Sequence, residues 1–302
     1  PLRLTVSDVI RMALEHNREI ELERISVQQA GNDLLSARGG YDPVFSFGAS
    51  FTRQVNPVTN ALGGGNGKIT TETFSQDLQV RGLLNSGATY ILFASNQRVD
   101  TDNFFANLNP LISTQLGAEL RQPLLRNGSV DSLRRRIVVT SKNLDLSDLQ
   151  FRQRVIDVVT RVQRAYWDLV YARRNVEIAE ESLGLARTQL ERAKRLVEAG
   201  SQAAVDLVQV EAQLRVREES LLVALEGVTV AENSLKLQIL PERGAPEWGQ
   251  PVIPVDMPQT REVVWDLEAL VKSALEYRPE LKQLELKREI ADEDIRFLSN
   301  QP

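Results

Sequence analysis

Apolar residues recur along this chain at two different periods, and each change of period marks a change of structure. Near the start, Val6, Val9, Ile10, Ala13 and Leu14 sit at helical spacing, with Ser7 and Asp8 supplying helix-start chemistry. This predicts a helix from Leu4 to about Arg38, closed by Gly39 and Gly40 and turned by Asp42-Pro43. The period then falls to two. Phe45, Phe47, Ala49 and Phe51 alternate with Ser46, Gly48, Ser50 and Thr52, giving one apolar and one small polar face. A second alternating stretch sets Phe74, Leu78 and Val80 against Ser75, Asp77, Gln79 and Arg81. A third, less regular, runs from Ala88 to Arg98 after the tight-turn signal Asn85-Ser86-Gly87. A polar loop at about Asp100 to Asn109 leads to a fourth, where Leu116, Ala118 and Leu120 alternate with Gln115, Gly117, Glu119 and Arg121. Between the first two, Asn56 to Lys68 reads as an exposed loop.

From about Leu144 the period is helical again. Phe151, Val155, Val158, Val162, Ala165, Leu169, Ala172, Val176, Ala179, Leu183, Ala186, Leu190, Ala193 and Val197 form an unbroken heptad seam. Gly200-Ser201 interrupts it. A second seam follows through Leu207, Val210, Leu214, Leu221, Ala224, Val228, Ala231 and Leu235, broken in register only by Arg217. At 1.5 Å per residue these predict helices roughly 80 and 55 Å long, paired as an antiparallel coiled-coil hairpin with its tip near Gly200. Ala and Val at many seam positions let helices approach closely. Pro241, Pro246, Pro251, Pro254 and Pro258 then mark an irregular strap, and a helix restarts at about Leu267. Five segments result: 1–40, 41–125, 126–240, 241–266 and 267–302. The fold class is mainly α with β.

Composition narrows the chemistry. The 302 residues carry a net charge of −5 with both signs interleaved, so nothing suggests a nucleic-acid partner. With no cysteine, disulfides, thiolate metal sites and cysteine nucleophiles are excluded. No stretch of about 18 apolar residues exists, so any crossing of a membrane is expected to be made by β-strands. The chain opens on Pro1 with no charged-then-apolar leader, which reads as a processed or trimmed terminus. No nucleophile, base and orienting group can be assembled, so neither an enzyme nor a cofactor or metal is expected. His16, the single histidine, reads as a surface helix residue. Gly63 to Lys68 superficially matches a phosphate loop, but Leu62 stands where its first glycine belongs and Ile69 follows the lysine.

The restart repeats the beginning. Ala13-Leu14-Glu15-His16-Asn17-Arg18-Glu19-Ile20 aligns with Ala274-Leu275-Glu276-Tyr277-Arg278-Pro279-Glu280-Leu281, and the same offset pairs Ala30 with Ala291 and Asp33 with Asp294. The repeat is about 260 residues long, and the second copy stops at Pro302, where its first strand is due. Together with Leu4-Thr5-Val6-Ser7-Asp8, Arg121-Gln122-Pro123-Leu124-Leu125, Glu198-Ala199-Gly200 and Val205-Asp206-Leu207-Val208-Gln209, this order of pieces resembles the TolC family of outer-membrane efflux proteins, cut within the second repeat.

That resemblance implies a TolC-like α/β-barrel protomer in a homotrimer. Segment 1–40 would be an N-terminal periplasmic helix, and 41–125 the strands and loops of a shared outer-membrane β-barrel. Segment 126–240 would be a periplasmic hairpin, 241–266 an equatorial linker, and 267–302 the start of the second repeat. It also implies outer-membrane localisation, contact with membrane lipid, and docking to a periplasmic adaptor and an inner-membrane transporter in efflux or type I secretion. The duct itself would be passive. Leu196, Val197, Gly200 and Ser201 become adaptor-contact candidates at the tip, and Asp206 a gating candidate. On the bland reading Gly200 only terminates a helix and Asp206 only complements a helix dipole. Phe45, Phe47, Phe51 and Phe74 become candidates for the lipid face or its aromatic girdle, where the bland reading is a soluble sheet edge. One departure stands out: the family usually places two strands in each repeat, and Tyr41 to Leu125 has room for four. The rival readings are a periplasmic adaptor, which also carries a long hairpin, and a structural coiled coil.

Overall fold

The computed structural model describes residues 1–58, 67–128, 130–242, 244–258 and 265–300. Most of the expected loop at Asn56 to Lys68, with its glycines, lies outside these residues. The chain divides into two compact units: Pro1–Gln28 with Ser147–Gln283, and Gln29–Leu146 with Leu284–Pro302.

In the first unit the short strand β1 (Leu2–Leu4) leads into α1 (Val6–His16). Thr5 caps α1 through a reciprocal box: its Oγ1 accepts from Asp8 N–H at 3.2 Å, and Asp8 Oδ2 accepts from Thr5 N–H at 3.1 Å. The single helix expected to Arg38 is in fact two. Asn17 is extended, and its Oδ1 takes the N–H of Glu19 at 2.9 Å as α2 (Arg18–Arg38) begins. The same side chain donates to the Gln238 carbonyl at 3.1 Å. The core gathers Val9 and Ala13 of α1 and Ile20 of α2 with Val158, Val162, Tyr166 and Leu169, and with Leu235 and Ile239.

The last six belong to two long helices, α3 (Ser132–Glu198, 67 residues) and α4 (Ala204–Ile239, 36 residues). At 1.5 Å per residue α3 is about 100 Å long. It starts twelve residues before the expected position because Asp131 Oδ1 accepts from Arg134 N–H at 2.8 Å, a cap that precedes an arginine-rich first turn. Along α4 the seam positions are the less exposed ones, and Leu235 is fully buried.

The described part of the Pro-rich strap is regular in places. After a 3₁₀ turn at Pro246–Gly249, β6 (Val252–Pro254) pairs in parallel with β1, Leu2 opposite Val252 and Leu4 opposite Pro254. The buried Tyr166 hydroxyl sits 3.1 Å from the Leu4 carbonyl and accepts from Asp256 N–H at 3.1 Å. Asp256 Oδ2 in turn accepts from Val6 N–H at 2.7 Å. Burial is the main cause that raises the Tyr166 phenol. Lys236, 4% exposed, holds the strap to α4: its Nζ lies 2.6 Å from Glu232 Oε1 and donates to the Trp248 carbonyl at 2.7 Å.

Glu19 joins α2 to α3, with Arg161 Nη2 at 2.6 Å and Arg154 Nη1 at 3.6 Å. The Arg161 hydrogen bond is the chief cause that holds the Glu19 carboxyl below the usual glutamate value of 4.5. A depressed carboxyl contributes stability above its unfolded value and loses it as pH falls through the folded one. The pair is about half exposed, so Glu19→Gln should cost only about 0.2–1 kcal/mol at neutral pH. In thermal unfolding at a series of pH values, wild type and variant should converge well below pH 4.5.

The second unit is built on a four-stranded antiparallel meander in the order β2 (Val44–Pro57), β3 (Lys68–Leu83), β4 (Thr89–Thr101), β5 (Leu111–Arg121). The β3–β4 turn closes as the Asn-Ser-Gly signal predicts, with Gly87 at φ 84° and its N–H on the Leu84 carbonyl at 2.8 Å. The first turns of α3 pack here against α6 (Pro279–Ser299). Arg135 pairs with Asp294 at 2.7 Å and stacks over Phe297, and Lys142 pairs with Glu289.

The repeat is visible in the helices. α5 (Leu267–Tyr277) and α6 (Pro279–Ser299) have 11 and 21 residues, as α1 and α2 do, and break at Arg278 where the first pair breaks at Asn17.

Candidate functional site

Two surfaces stand out, the sheet of the second unit and the hairpin of the first. In the sheet, residues directly opposite on paired strands share a face. Phe47, Leu78, Ala94 and Leu116 therefore stand side by side, next to the row of Phe45, Val80, Leu92 and Ala118. Phe45 and Phe47 are each 62% exposed and Leu116 is 84% exposed, so this apolar face is open. The opposite face carries Ser46, Gly48 and Ser50 beside Gln79, Asp77 and Ser75. It also carries apolar side chains, Val44, Ile91, Val99 and Leu111 among them, and Phe93, which lies over Gly117, where a Cβ would meet the ring at 2.4 Å.

The four phenylalanines singled out from sequence thus share one face, with Phe51 directly opposite Phe74. That face also carries polar residues that the sequence reading passed over. Ala49, Gln76, Asn96 and Thr114 form one row, with Thr114 Oγ1 and Asn96 Oδ1 at 3.0 Å. Arg98 stands beside Phe74, and Arg53, Glu72 and Asp100 form the row after that. The signal was present: in β4, Tyr90, Leu92 and Ala94 give way at the same period to Asn96, Arg98 and Asp100. The loop expected to be polar also differs. It presents Phe104 (88% exposed), Phe105 and Leu108 on a turn tied by Asn109, whose amide bonds both Thr101 N–H and Thr101 carbonyl.

At the tip of the hairpin, α3 ends in a Schellman motif. Gly200, at φ 72°, donates to the Val197 carbonyl at 2.9 Å, and Ser201 N–H to the Leu196 carbonyl at 2.8 Å. The structure therefore brings together four of the residues expected at the tip. Leu196, Gly200 and Ser201 are exposed and Val197 is half-buried. Asp206 is half-buried in the first turn of α4, as a helix-dipole reading requires. Farther along, Ala165, Ala172 and Ala179 of α3 and Ala224, Gly227 and Ala231 of α4 line an open groove of about 870 Å³.

Among the described residues no cluster of His, Asp and Glu could hold a metal ion, and no helix is long and apolar enough to cross a membrane.

Residues 9–239 match the family model described as outer membrane efflux protein. No curated protein matches the sequence significantly. Several solved structures share the fold. A membrane protein from Pseudomonas aeruginosa aligns with TM-score 0.68 at 17% identity, over 97% of this chain and 57% of its own. The open state of the Neisseria gonorrhoeae MtrE outer membrane channel aligns with TM-score 0.59 at 15% identity, over 97% and 54%. The Campylobacter jejuni CmeC outer membrane channel aligns with TM-score 0.55 at 14% identity, over 78% and 40%. The chain thus spans about half the length of these structures.

Proposed function

We propose, from the premise that this chain belongs to the outer membrane efflux protein family, that it is the larger part of one protomer of a trimeric channel that conducts exported solutes passively to the cell exterior. On this reading β2 to β5 enter a shared outer-membrane barrel, and α3 and α4 form an antiparallel coiled-coil hairpin in the periplasmic wall. Segment 1–40 is then the N-terminal periplasmic helical part, 41–125 the barrel strands and loops, 126–240 the periplasmic hairpin, 241–266 the equatorial linker and 267–302 the start of the second repeat. A periplasmic adaptor meets the tip at Leu196, Val197, Gly200 and Ser201. Asp206 helps hold the tunnel shut until partners bind, and the inner-membrane transporter supplies the energy.

The observation that carries the proposal is the sheet. An exposed apolar face backed by a small, polar one is what a wall between lipid and water needs. A soluble adaptor or a plain coiled coil has no use for it. Four strands lie between Val44 and Arg121, twice the family's usual number for one repeat, so this wall is wider than the family pattern.

The test is single-channel conductance of the full-length protein in a planar bilayer. Stable, small openings are expected, and Asp206→Ala should enlarge them. Well-folded protein that never conducts would hand the chain to the adaptor or scaffold reading.

A further inference from the structure

We infer that lipid covers only the part of the β2–β5 sheet nearest α3, and that the remaining length of the sheet stands in water beyond the bilayer. The inference rests on the proposed barrel and adds where its wall leaves the membrane.

Strand length requires a surplus. A tilted strand crosses hydrocarbon in about 9–11 residues. β2, β3 and β4 have 14, 16 and 13 residues. At roughly 3.3 Å per residue, β3 is about 53 Å long. The surplus lies at the end away from α3, because β5 finishes at Arg121 and α3 begins at Ser132.

Side-chain chemistry locates the boundary. Starting from the end at α3, the open face is apolar through Phe45, Val80, Leu92 and Ala118, then Phe47, Leu78, Ala94 and Leu116. The next row breaks the pattern on three strands, with Gln76, Asn96 and Thr114. An amide or hydroxyl facing hydrocarbon loses its water partners and costs several kcal/mol. Here the Asn96–Thr114 hydrogen bond satisfies only part of what these groups can make.

The following row is mixed, Phe51, Phe74 and Ile112 with Arg98, and past it polar side chains predominate on both faces, with Val55 on one and Ile69, Val99 and Leu111 on the other as apolar exceptions. Arg53, Glu72, Thr70 and Asp100 lie on the formerly apolar side, with Arg53 and Glu72 paired at 3.4 Å. Thr52, Thr71, Thr73 and Thr101 lie on the other, with the Thr71 and Thr101 hydroxyls 3.4 Å apart. Charged and hydroxyl side chains on both faces of one stretch call for water on both. The edge is also stepped. On β2 the apolar run continues to Phe51, whereas on β4 it stops at Ala94. A membrane plane crossing tilted strands leaves such a slant. Phe74, one position beyond Gln76 on this face, then falls at headgroup level, where aromatic girdles sit.

These 302 residues hold no cysteine, so each label introduced among them has no competitor within the sheet. Spin labels would be placed at Leu92→Cys, Leu116→Cys, Asn96→Cys, Thr70→Cys and Thr71→Cys in the full-length protein, in vesicles of phosphatidylethanolamine and phosphatidylglycerol. Collision with oxygen, which concentrates in hydrocarbon, is compared with collision with a water-soluble nickel complex. Leu92 and Leu116 labels should favour oxygen. Thr70 and Thr71, on opposite faces, should both favour nickel, with the crossover at Asn96. Oxygen-favoured labels at Thr70 would overturn the inference while leaving the barrel intact. Nickel-favoured labels at Leu92 and Leu116 as well would overturn the barrel itself.

Discussion

Replacing Lys236 by alanine should destabilise the first unit by about 3–5 kcal/mol. The ammonium is nearly buried against Glu232, itself only 16% exposed on its side chain. Removing it leaves a carboxylate with little water and no cation, and it strips the Trp248 carbonyl of its donor. The cost is therefore far above that of an exposed pair such as Arg215–Glu218, where roughly 0–1 kcal/mol is expected. Removing both charges with Glu232→Leu and Lys236→Met keeps the volume and should recover most of the loss. Thermal unfolding of the three proteins in mild detergent, followed by circular dichroism, reads the series. Equal losses in the single and double variants would show that the charge pair is not the source of the effect. The consequence is local and structural: the 3₁₀ turn at Pro246–Gly249 is tied to α4 through this side chain and to the core through Trp248.

Much of this fold can be read from residue order. The change of period at Tyr41 and again after Leu125 separates strands from helices, and Gly200 marks the hairpin turn because a positive φ at that point is inexpensive only for glycine. The restart at Leu267 falls on the observed residue. The errors have physical causes. The first helix looks continuous because its apolar spacing carries through Asn17, yet that side chain caps the following helix and so favours a break. The start of α3 is hidden because Arg134, Arg135 and Arg136 fill its first turn with charge, and its cap, Asp131, follows the turn-like Arg126-Asn127-Gly128. The strap reads as irregular because prolines cannot donate, but its β6 pairs with β1 from some 250 residues away, a contact no local pattern encodes.

The surfaces divide in the same way. Alternation alone put Phe45, Phe47 and Phe51 on one face of their strand, and the register sets Phe74 of the next strand on that same face. It could not show which residues of different strands stand together, because register depends on turn lengths as well as on pattern. Once β3, β4 and β5 are aligned, Gln76, Asn96 and Thr114 become a single polar row, although each alone is an unremarkable exception to an alternating run.

That row gives the second large effect its position dependence. Phe47→Arg puts a guanidinium among Leu78, Ala94 and Leu116, at the middle of the apolar part of the face. If hydrocarbon covers that part, the cost should be about 2–4 kcal/mol, as for arginine near a bilayer midplane on a barrel's lipid face. Thr70→Arg adds the same charge on the same face of β3, past Glu72, and should change stability by no more than ~0.5 kcal/mol. Neither position is in a packed core: Phe47 is 62% exposed within this chain, so packing cannot account for a loss at that site. Reversible urea unfolding from lipid vesicles separates the two. A large loss at Phe47 with none at Thr70 requires an apolar solvent over one part of the face and water over the other. Small losses at both would mean that water bathes the whole sheet, and the exposed phenylalanines would then need a protein partner to cover them.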